Sequence, residues 1–313
     1  MMLKNFDFCG KRKVFLYVSI AIMVIGVFFN IFFGVEMDID FKGGTLLKYS
    51  YQGTLEESTV TEFVHKTFAD ADVDITSESG LSTIVISMAK DIEVEQQTTF
   101  IESLKKQFPD NKITEISTNS LQPSYGRQFF LKCIAAIVLA SLFLLAYVGF
   151  RFRKIGGFSA GAMALIALLH DILIAYFVFV IFRIPLNDNF VAVVLTILGY
   201  SLNDTIVIYD RIRENRAKMD KKASINEIVN VSLSQSFGRT LNTSICTFLA
   251  IGTVAVIALV FSMDAIISFA IPMSIGVISG FYSSTFLCTP FWALWVEHTE
   301  RRKKAKAKSK GKK

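Results

Sequence analysis

Two carboxylates lie inside long apolar segments, where ionised groups are rare. Asp171 follows His170 in "LLHDILIAY", and Asp204 follows Asn203 in "GYSLNDTIVIYD". A charge near the centre of a bilayer costs several kcal/mol, so such residues usually serve a function. The proton affinity of a buried carboxylate depends on nearby charge and water, so it can load and release a proton as helices shift. The sequence therefore predicts an ion-binding carboxylate, with Asp204 the stronger candidate.

Asp204 has polar companions at helical spacing. At about 100° per residue, Ser201, Asp204 and Thr205 share one stripe of a helix. A later apolar segment begins with "SFGRTLNTSICT" and carries a second polar stripe, in which Arg239 is the expected counter-charge for Asp204. The supporting polar network is predicted to contain Ser201, Asn203, Thr205, Thr240, Thr243, Ser244, His170 and Asp171. Alternatively, the hydroxyl groups bond to their own preceding helical turn and only support packing.

Enzyme chemistry has little support in these residues. Ser201 in "GYSLN" only partly resembles the serine motif of intramembrane proteases, because Leu202 replaces the glycine that follows the serine. Asp204 and Asp210 are six residues apart, about 9 Å along a helix, which is too far for two aspartates to share a proton. The sequence contains no GxxxxGK[ST] or HExxH motif, and its cysteines form no CxxC pair. We therefore expect no enzyme activity, metal or cofactor, and any energy that the protein uses must come from elsewhere.

The elements that carry these residues are predicted to cross a membrane. The chain has 313 residues, 52% of them hydrophobic, and a mean hydropathy of +0.47, which is too apolar for an ordinary soluble protein. A span of the hydrocarbon core needs roughly 20 apolar residues. Six segments meet this length, at 14–35, 129–150, 157–181, 189–210, 241–261 and 266–292. The fold class is therefore an α-helical polytopic membrane protein.

Basic residues predict the orientation of the six helices. Of the 33 Lys and Arg residues, 23 lie in segments that a six-helix topology places on one side. By the positive-inside rule, the N-terminus 1–13, the loop 211–240 and the tail 297–313 are cytoplasmic. The loop 36–127, which contains 16 acidic and 8 basic residues, is then outside. The charge pattern thus predicts a multi-pass membrane protein with both termini in the cytoplasm and the large loop on the other side.

The outside loop has the pattern of a small folded domain. Alternating strand-like and amphipathic segments occur at 43–51, 57–69, 73–78, 82–89, 94–108 and 112–121. Their order, β-α-β-β-α-β, is that of a ferredoxin-like α+β unit. Because that fold alone implies no function and the loop contains no catalytic cluster, we expect a binding or mechanical role.

Three motifs give the chain a family resemblance. "DIDFKGGT" (38–45), "GYSLNDTIVIYDRIREN" (199–215) and "SFGRTLNTSICT" (236–247), together with the six-helix layout, resemble the SecF family of protein-export membrane subunits in the resistance-nodulation-division superfamily. The resemblance implies half of a pseudo-symmetric transporter that promotes late stages of preprotein export with the proton or sodium motive force. It also implies that Asp204 is the ion-coupling residue and Arg239 a supporting one.

The resemblance also implies a location in the bacterial cytoplasmic membrane. It implies partners as well. These are SecD, the SecYEG channel, YajC, indirectly SecA, the translocating preprotein and the lipid bilayer, with no specific nucleic acid. One alternative is a half-transporter of the same superfamily that exports a small molecule or lipid, although the short connections "RIPLNDN" and "SMDAI" do not favour it. Another is a membrane-protein assembly scaffold, in which Asp204 is only structural.

Overall fold

The computed structural model describes residues 6–78, 81–90, 92–121, 123–220 and 222–310. The first long apolar helix, α1, spans Arg12–Phe33. The small domain that follows contains α2 (Ile39–Lys42), β1 (Gly44–Tyr51), α3 (Glu57–Thr67), β2 (Asp72–Glu78), β3 (Leu81–Met88), α4 (Val94–Gln107) and β4 (Thr114–Leu121). After β4 the chain returns to long apolar helices.

The remaining helices complete the membrane bundle. They are α5 (Pro123–Arg151), α6 (Gly157–Ile181), α7 (Asp188–Lys218), α8 (Ile225–Val260), α9 (Asp264–Tyr282) and α10 (Thr289–Lys310). A π-helical segment, Ser283–Cys288, joins α9 to α10 without a break. Six helices of the described part are long and apolar enough to cross a membrane, when α9 to α10 is counted as one. The predicted fold class is confirmed.

The ends of α7 and α8 differ from the sequence prediction. The sequence predicts a loop at 211–240, yet α7 continues to Lys218 and α8 begins at Ile225. The two ends pack on each other, because Ile212 and Val229 are fully buried and the Asn215 side chain donates to the hydroxyl of Ser232 at 2.8 Å. The charged residues around Ile212 and Val229 are typical of an exposed loop, so the sequence alone does not indicate that these two side chains are buried. The predicted tail is likewise helical to Lys310, and 311–313 lie outside the described residues.

The small domain has the predicted β-α-β-β-α-β order. Its four strands form one antiparallel sheet in the order β2-β3-β1-β4. The helices α3 and α4 cover one face, and the core between helices and sheet contains Leu47, Ile84, Ile86, Val64 and Leu104, all fully buried. The connection between β2 and β3, at 79–80, lies outside the described residues. The ferredoxin-like prediction is confirmed.

A short segment attaches this domain to the membrane bundle. Asp38 caps α2 by accepting a hydrogen bond from the backbone of Ile39, and its own backbone N–H donates to Leu186, before α7. Gly43 and Gly44 then take positive φ values of 73° and 126° where α2 passes into β1. A side chain at Gly126, in α5, would put a Cβ 2.7 Å from the nitrogen of Gly43. The "DFKGG" motif is thus the junction between the domain and the bundle.

Inside the bundle, α6, α7 and α9 form the centre. In the most apolar stretch of α6 and in that of α7, half or more of the residues are buried. In the corresponding stretch of α5 none are buried, and in that of α8 only 17% are. Glycines let α9 approach α7 closely, since a side chain at Gly276 would collide with Ile197 and one at Gly280 would put a Cβ 2.9 Å from the Cβ of Ser201. The central helices therefore hold their polar residues in close contact.

Candidate functional site

Asp171 lies at the centre of the bundle and accepts three short hydrogen bonds. Its side chain is fully buried in α6. The hydroxyls of Ser201 and Ser283 donate to Oδ2, each at 2.7 Å, and that of Ser279 donates to Oδ1 at 2.6 Å. These serines come from α7, the π-helical segment and α9. We call the four residues the Asp171 cage.

The sequence brings the three serines to one carboxylate through helix geometry. Ser279 and Ser283 are four residues apart and therefore lie on one face. Ser201 meets them because Gly280 admits α7 at close range. Ser284 continues the polar cluster: it donates to the carbonyl of Ser201 at 3.0 Å and contacts the hydroxyl of Thr205 at 2.9 Å. The π-helical turn thus places two successive serines against α6 and α7, as such turns often do at functional sites.

His170 is the basic group of this cluster. Its Nδ1 lies 3.2 Å from Oδ1 of Asp171, and 11% of its side chain is exposed. Its ring centroid is 6.2 Å from that of Tyr282. Its Nε2 is buried without a hydrogen-bond partner among the described residues. His170 thus contacts Asp171, another residue of the predicted polar network.

Asp204 lies on α7 and is directed toward α8. Only 2% of its surface is exposed, and it is hydrogen-bonded to the side chain of Ser244. Ser244 in turn accepts from the hydroxyl of Tyr200 at 3.1 Å. Oδ2 of Asp204 is buried and has no partner among the described residues. A buried carboxylate oxygen without a partner is costly, so this atom is a natural place for a proton, a water or an ion.

Arg239 is near Asp204 but does not bond to it. Its charge acts on Asp204 through space, and its side chain is exposed on α8. Arg239, the predicted counter-charge, is therefore close enough to act on Asp204, but the two side chains form no direct ion pair in the described structure. Asp204 is held by one hydroxyl group and one more distant positive charge.

Three predicted members of the polar network do not join either carboxylate. Asn203 is exposed on α7, so it faces away from the bundle core. The hydroxyls of Thr240 and Thr243 donate to carbonyl groups of their own helix, at 3.1 Å to Phe237 and 2.9 Å to Arg239. These two threonines therefore bond to their own helix, as the alternative interpretation of the polar stripe expects. The predicted stripe of Ser201 and Thr205 contacts α6 and the π-helical segment instead of α8.

Sequence reasoning missed Ser279 and Ser283 as carboxylate partners. In the sequence, "SIGVISGFYSS" places these serines with Gly276 and Gly280 at helical spacing, a pattern that indicates close packing of helices,. A stripe of small residues and a stripe of hydroxyl donors look alike in one sequence. The available signal was Asp171 itself, because a carboxylate buried in the membrane needs donors and the apolar segments contain few.

With this geometry established, comparisons with known proteins identify the family. Residues 100–298 match the family described as "Protein export membrane protein SecD/SecF, C-terminal". The chain is 33% identical over 311 residues to protein translocase subunit SecF of Petrotoga mobilis, covering 96% of this chain and 99% of the relative. It is 32% identical over 296 residues to protein translocase subunit SecDF of Bacillus subtilis, covering 93% of this chain but 38% of that longer protein.

The structural comparison agrees. The crystal structure of SecDF from Thermus thermophilus, described as a translocon-associated membrane protein, superposes with a TM-score of 0.78 over 95% of this chain and 40% of that one. At 24% identity this likeness supports the fold: six apolar helices with a small antiparallel sheet. Together, the matches over nearly the full length place the chain in the SecF family of protein-export membrane proteins.

Proposed function

We propose that this chain is the SecF-type half of an ion-driven device that helps to draw exported proteins across the cytoplasmic membrane. A role in protein export follows from its family, since full-length relatives are named protein translocase subunits. The energy source is the finer part of the proposal. A proton or sodium gradient is coupled through Asp204, with Arg239 modulating its charge.

The observation that carries the ion coupling is the unpartnered Oδ2 of Asp204. This oxygen is buried between α7 and α8, on a carboxylate whose bonded partner is Ser244. An ion that binds one arrangement of the two helices better than another shifts the balance between them. Loading of Asp204 would therefore change how α7 packs against α8. That change reaches the outside domain through the backbone bond between Asp38 and Leu186, which precedes α7.

A second half-transporter is the proposed partner. Asn203 on α7 and three polar residues of α8, Arg239, Asn242 and Thr243, are exposed outside the six-helix unit. Polar groups at membrane depth need a protein neighbour or water. A SecD-type six-helix unit packed there would cover them. The longer Bacillus subtilis relative named SecDF, of which this chain matches 38%, has room for such a second half.

The remaining partners and the orientation belong to the same proposal. Both termini lie in the cytoplasm and the outside domain contacts emerging preprotein, with the SecYEG channel and YajC as neighbours and SecA acting before this step. The charge pattern supports this orientation, because the cytoplasmic ends hold most of the Lys and Arg residues,. The outside domain works by binding or by mechanical movement.

Replacing Asp204 by Asn tests the ion coupling. The variant keeps the shape of the side chain but cannot carry a negative charge. Membrane vesicles that contain the SecD partner and the channel would be loaded with a preprotein, and export would be measured with and without an ion gradient. We expect Asp204→Asn to abolish the stimulation of export by the gradient while leaving the ATP-driven part in place.

Asp210→Asn is the matched control. Asp210 lies six residues further along α7 and pairs with Arg151 at 3.1 Å and Arg213 at 2.9 Å near the surface. This change should leave the gradient dependence intact. If Asp204→Asn keeps the full gradient dependence, the coupling proposal is wrong and a scaffold role gains support. Native co-purification of a SecD-like protein with the translocon checks the partner, and its repeated absence would contradict the export complex.

A further inference from the structure

A groove lies at one end of the bundle, where parts of three helices meet. Its volume is about 500 Å³, which is in the usual range for sites that bind small molecules,. Its walls come from the turn before α6, the first turn of α6, the end of α7 and the middle of α10. None of the residues that line it belongs to the Asp171 cage, and Asp204 does not line it either. The groove is therefore separate from the two buried carboxylates.

The groove carries an excess of positive charge. Lys154, Arg216 and Lys303 line it, and Glu300 is the one acidic residue of its described lining. Arg216 lies 3.4 Å from Glu300, so the charges of this pair largely cancel. Lys154 and Lys303 are exposed and form no ion pair within the described part of the chain. Two uncompensated cations thus favour a ligand with negative charge.

The first turn of α6 adds to this attraction. Gly156 precedes the helix with a φ of 108°, and no side chain caps the helix there. The first backbone N–H groups of a helix have no partner within it and carry partial positive charge. Gly157 and Phe158, in this turn, line the groove. The helix end strengthens the effect of the two lysines, whose side chains define the site.

Exposed aromatic side chains place the groove at the boundary of the membrane. Phe158 and Trp295 line it, with 81% and 40% of their surfaces exposed. Both belong to membrane spans, Phe158 at the start of α6 and Trp295 toward the end of the span that includes α10. Aromatic residues are typical of the level at which hydrocarbon meets the lipid headgroups. A ligand that suits this groove therefore has a negatively charged head and an apolar body.

An anionic phospholipid has both features. Its phosphodiester oxygens can accept hydrogen bonds from Lys154 and Lys303, while its acyl chains lie beside the aromatic rings in the hydrocarbon. A zwitterionic lipid also carries an ammonium group, which the two unpaired lysines repel. A small soluble anion would gain the same charges but would leave the exposed rings uncovered. The charge and the membrane level of the groove thus favour the anionic lipid.

We propose that this groove binds the headgroup of one anionic phospholipid of the phosphatidylglycerol class. The phosphate bridges Lys154, in the turn before α6, and Lys303 of α10. Its binding to the folded protein stabilises the contact between these two parts of the bundle. The inference goes beyond the proposed ion coupling and does not depend on it, since none of the residues assigned to that coupling lines the groove.

Lipid binding to the purified full chain tests the groove. The protein in detergent micelles would be titrated with phosphatidylglycerol or with phosphatidylcholine of the same acyl chains, and native mass spectrometry would count the bound lipids. We expect the first phosphatidylglycerol to bind about tenfold or more tightly than phosphatidylcholine, because each lysine near the headgroup adds to the attraction. Equal affinities for the two lipids would overturn the proposal.

Two double variants with equal loss of charge assign the preference to the groove. Lys154→Gln combined with Lys303→Gln removes both unpaired cations, and most of the preference for phosphatidylglycerol should disappear. Lys222→Gln combined with Arg302→Gln is the matched control, because both side chains are exposed and neither lines the groove. This control should keep the preference. An equal loss in both double variants, or no loss in the groove variant, contradicts the proposal.

Inorganic phosphate distinguishes a lipid from a soluble anion. Sodium phosphate would be added to the phosphatidylglycerol complex, with sodium chloride at the same ionic strength as the reference. We expect equal lipid binding in both salts, because free phosphate lacks the acyl chains that contact the aromatic rings. Displacement of the lipid by phosphate beyond that by chloride would assign the groove to a soluble phosphorylated ligand and overturn the lipid site.

Discussion

Ser201 and Asp204 are one turn apart on α7, yet they bond to different neighbours. The hydroxyl of Ser201 donates to Asp171 of α6 at 2.7 Å, whereas Asp204 is hydrogen-bonded to Ser244 of α8. Helix α7 therefore carries one carboxylate, Asp204, and hydrogen-bonds the other, Asp171. A change at either carboxylate alters the contacts of α7, and this shared helix is the physical link between them.

Ser244→Ala should loosen the contact between α7 and α8. The change removes the hydrogen-bonded partner of Asp204 and the acceptor of the Tyr200 hydroxyl. We expect a loss of roughly 1–2 kcal/mol in the free energy of unfolding, because polar contacts between membrane helices have this size. Unfolding in mixed detergent micelles measures it. Thr247→Ala is the control, since that hydroxyl bonds to its own helix at 2.9 Å, and an equal loss in both variants would refute the prediction.

Gly280→Ala should separate α9 from α7. The added Cβ would lie 2.9 Å from the Cβ of Ser201, closer than such atoms normally approach. We expect about 1–3 kcal/mol of destabilisation from overpacking.

Gly252→Ala provides the comparison for that change. Gly252 lies on the outer helix α8, and beyond its own helical turns no atom lies within 4 Å of the position its Cβ would take. Alanine has the higher helix propensity, so this variant should be neutral or up to about 1 kcal/mol more stable. A similar thermal midpoint for both variants would contradict the assigned helix contact.

The architecture could be predicted because its signals are local. Apolar segments of membrane length and a change to alternating patterns identify the six helices and the small α+β domain, whatever their tertiary contacts. The facing ends of α7 and α8 could not be placed in this way. Charged residues between Arg211 and Arg239 indicate a loop, while the buried faces at Ile212 and Val229 become evident only when α7 and α8 are paired.

The site was predictable only in part, for a related reason. Residue type identifies Asp171 and Asp204, because a carboxylate in an apolar segment is conspicuous in any sequence. Partner choice depends on which helix faces which, and it differs even between Ser201 and Asp204. Asn203 illustrates the same limit, since it adjoins Asp204 in sequence but lies on the exposed face of α7.

Leu104→Ala should destabilise the small α+β domain without affecting the helix bundle. Leu104 of α4 is fully buried in the core of that domain. Truncation of a buried leucine to alanine costs about 2–5 kcal/mol, a large share of the stability of a small domain. Limited proteolysis of the full protein should then cut between 44 and 121 much faster. Ile116→Ala, at a side chain that is 53% exposed on β4, should leave the rate nearly unchanged.

The N-terminal segment offers a test through the reactivity of Cys9. Cys9 is buried, its backbone N–H donates to the side chain of Asn230 at 3.0 Å, and burial raises the pKa of its thiol from 9.0 to about 12. The thiolate is the reactive form, so maleimide labelling of the native protein at pH 7 should be very slow. Asn230→Ala should accelerate it, because Asn230 also donates to Asp7 and so holds the segment against α8.

The pH dependence distinguishes a buried thiol from a merely crowded one. Below its pKa the thiolate fraction rises tenfold per pH unit, so Cys9 labelling should still increase above pH 9, where an exposed thiol with a pKa of about 8.5 levels off. Unfolded protein binds fewer protons than native protein in this range, so the docked segment also loses stability as pH rises above 9. Mass spectrometry of the labelled peptide gives the rate. Lys222→Ala, a change at an exposed side chain, is the control for Asn230→Ala and should leave the labelling rate of Cys9 unchanged. A plateau near pH 9 in the native protein would rule out the buried thiol.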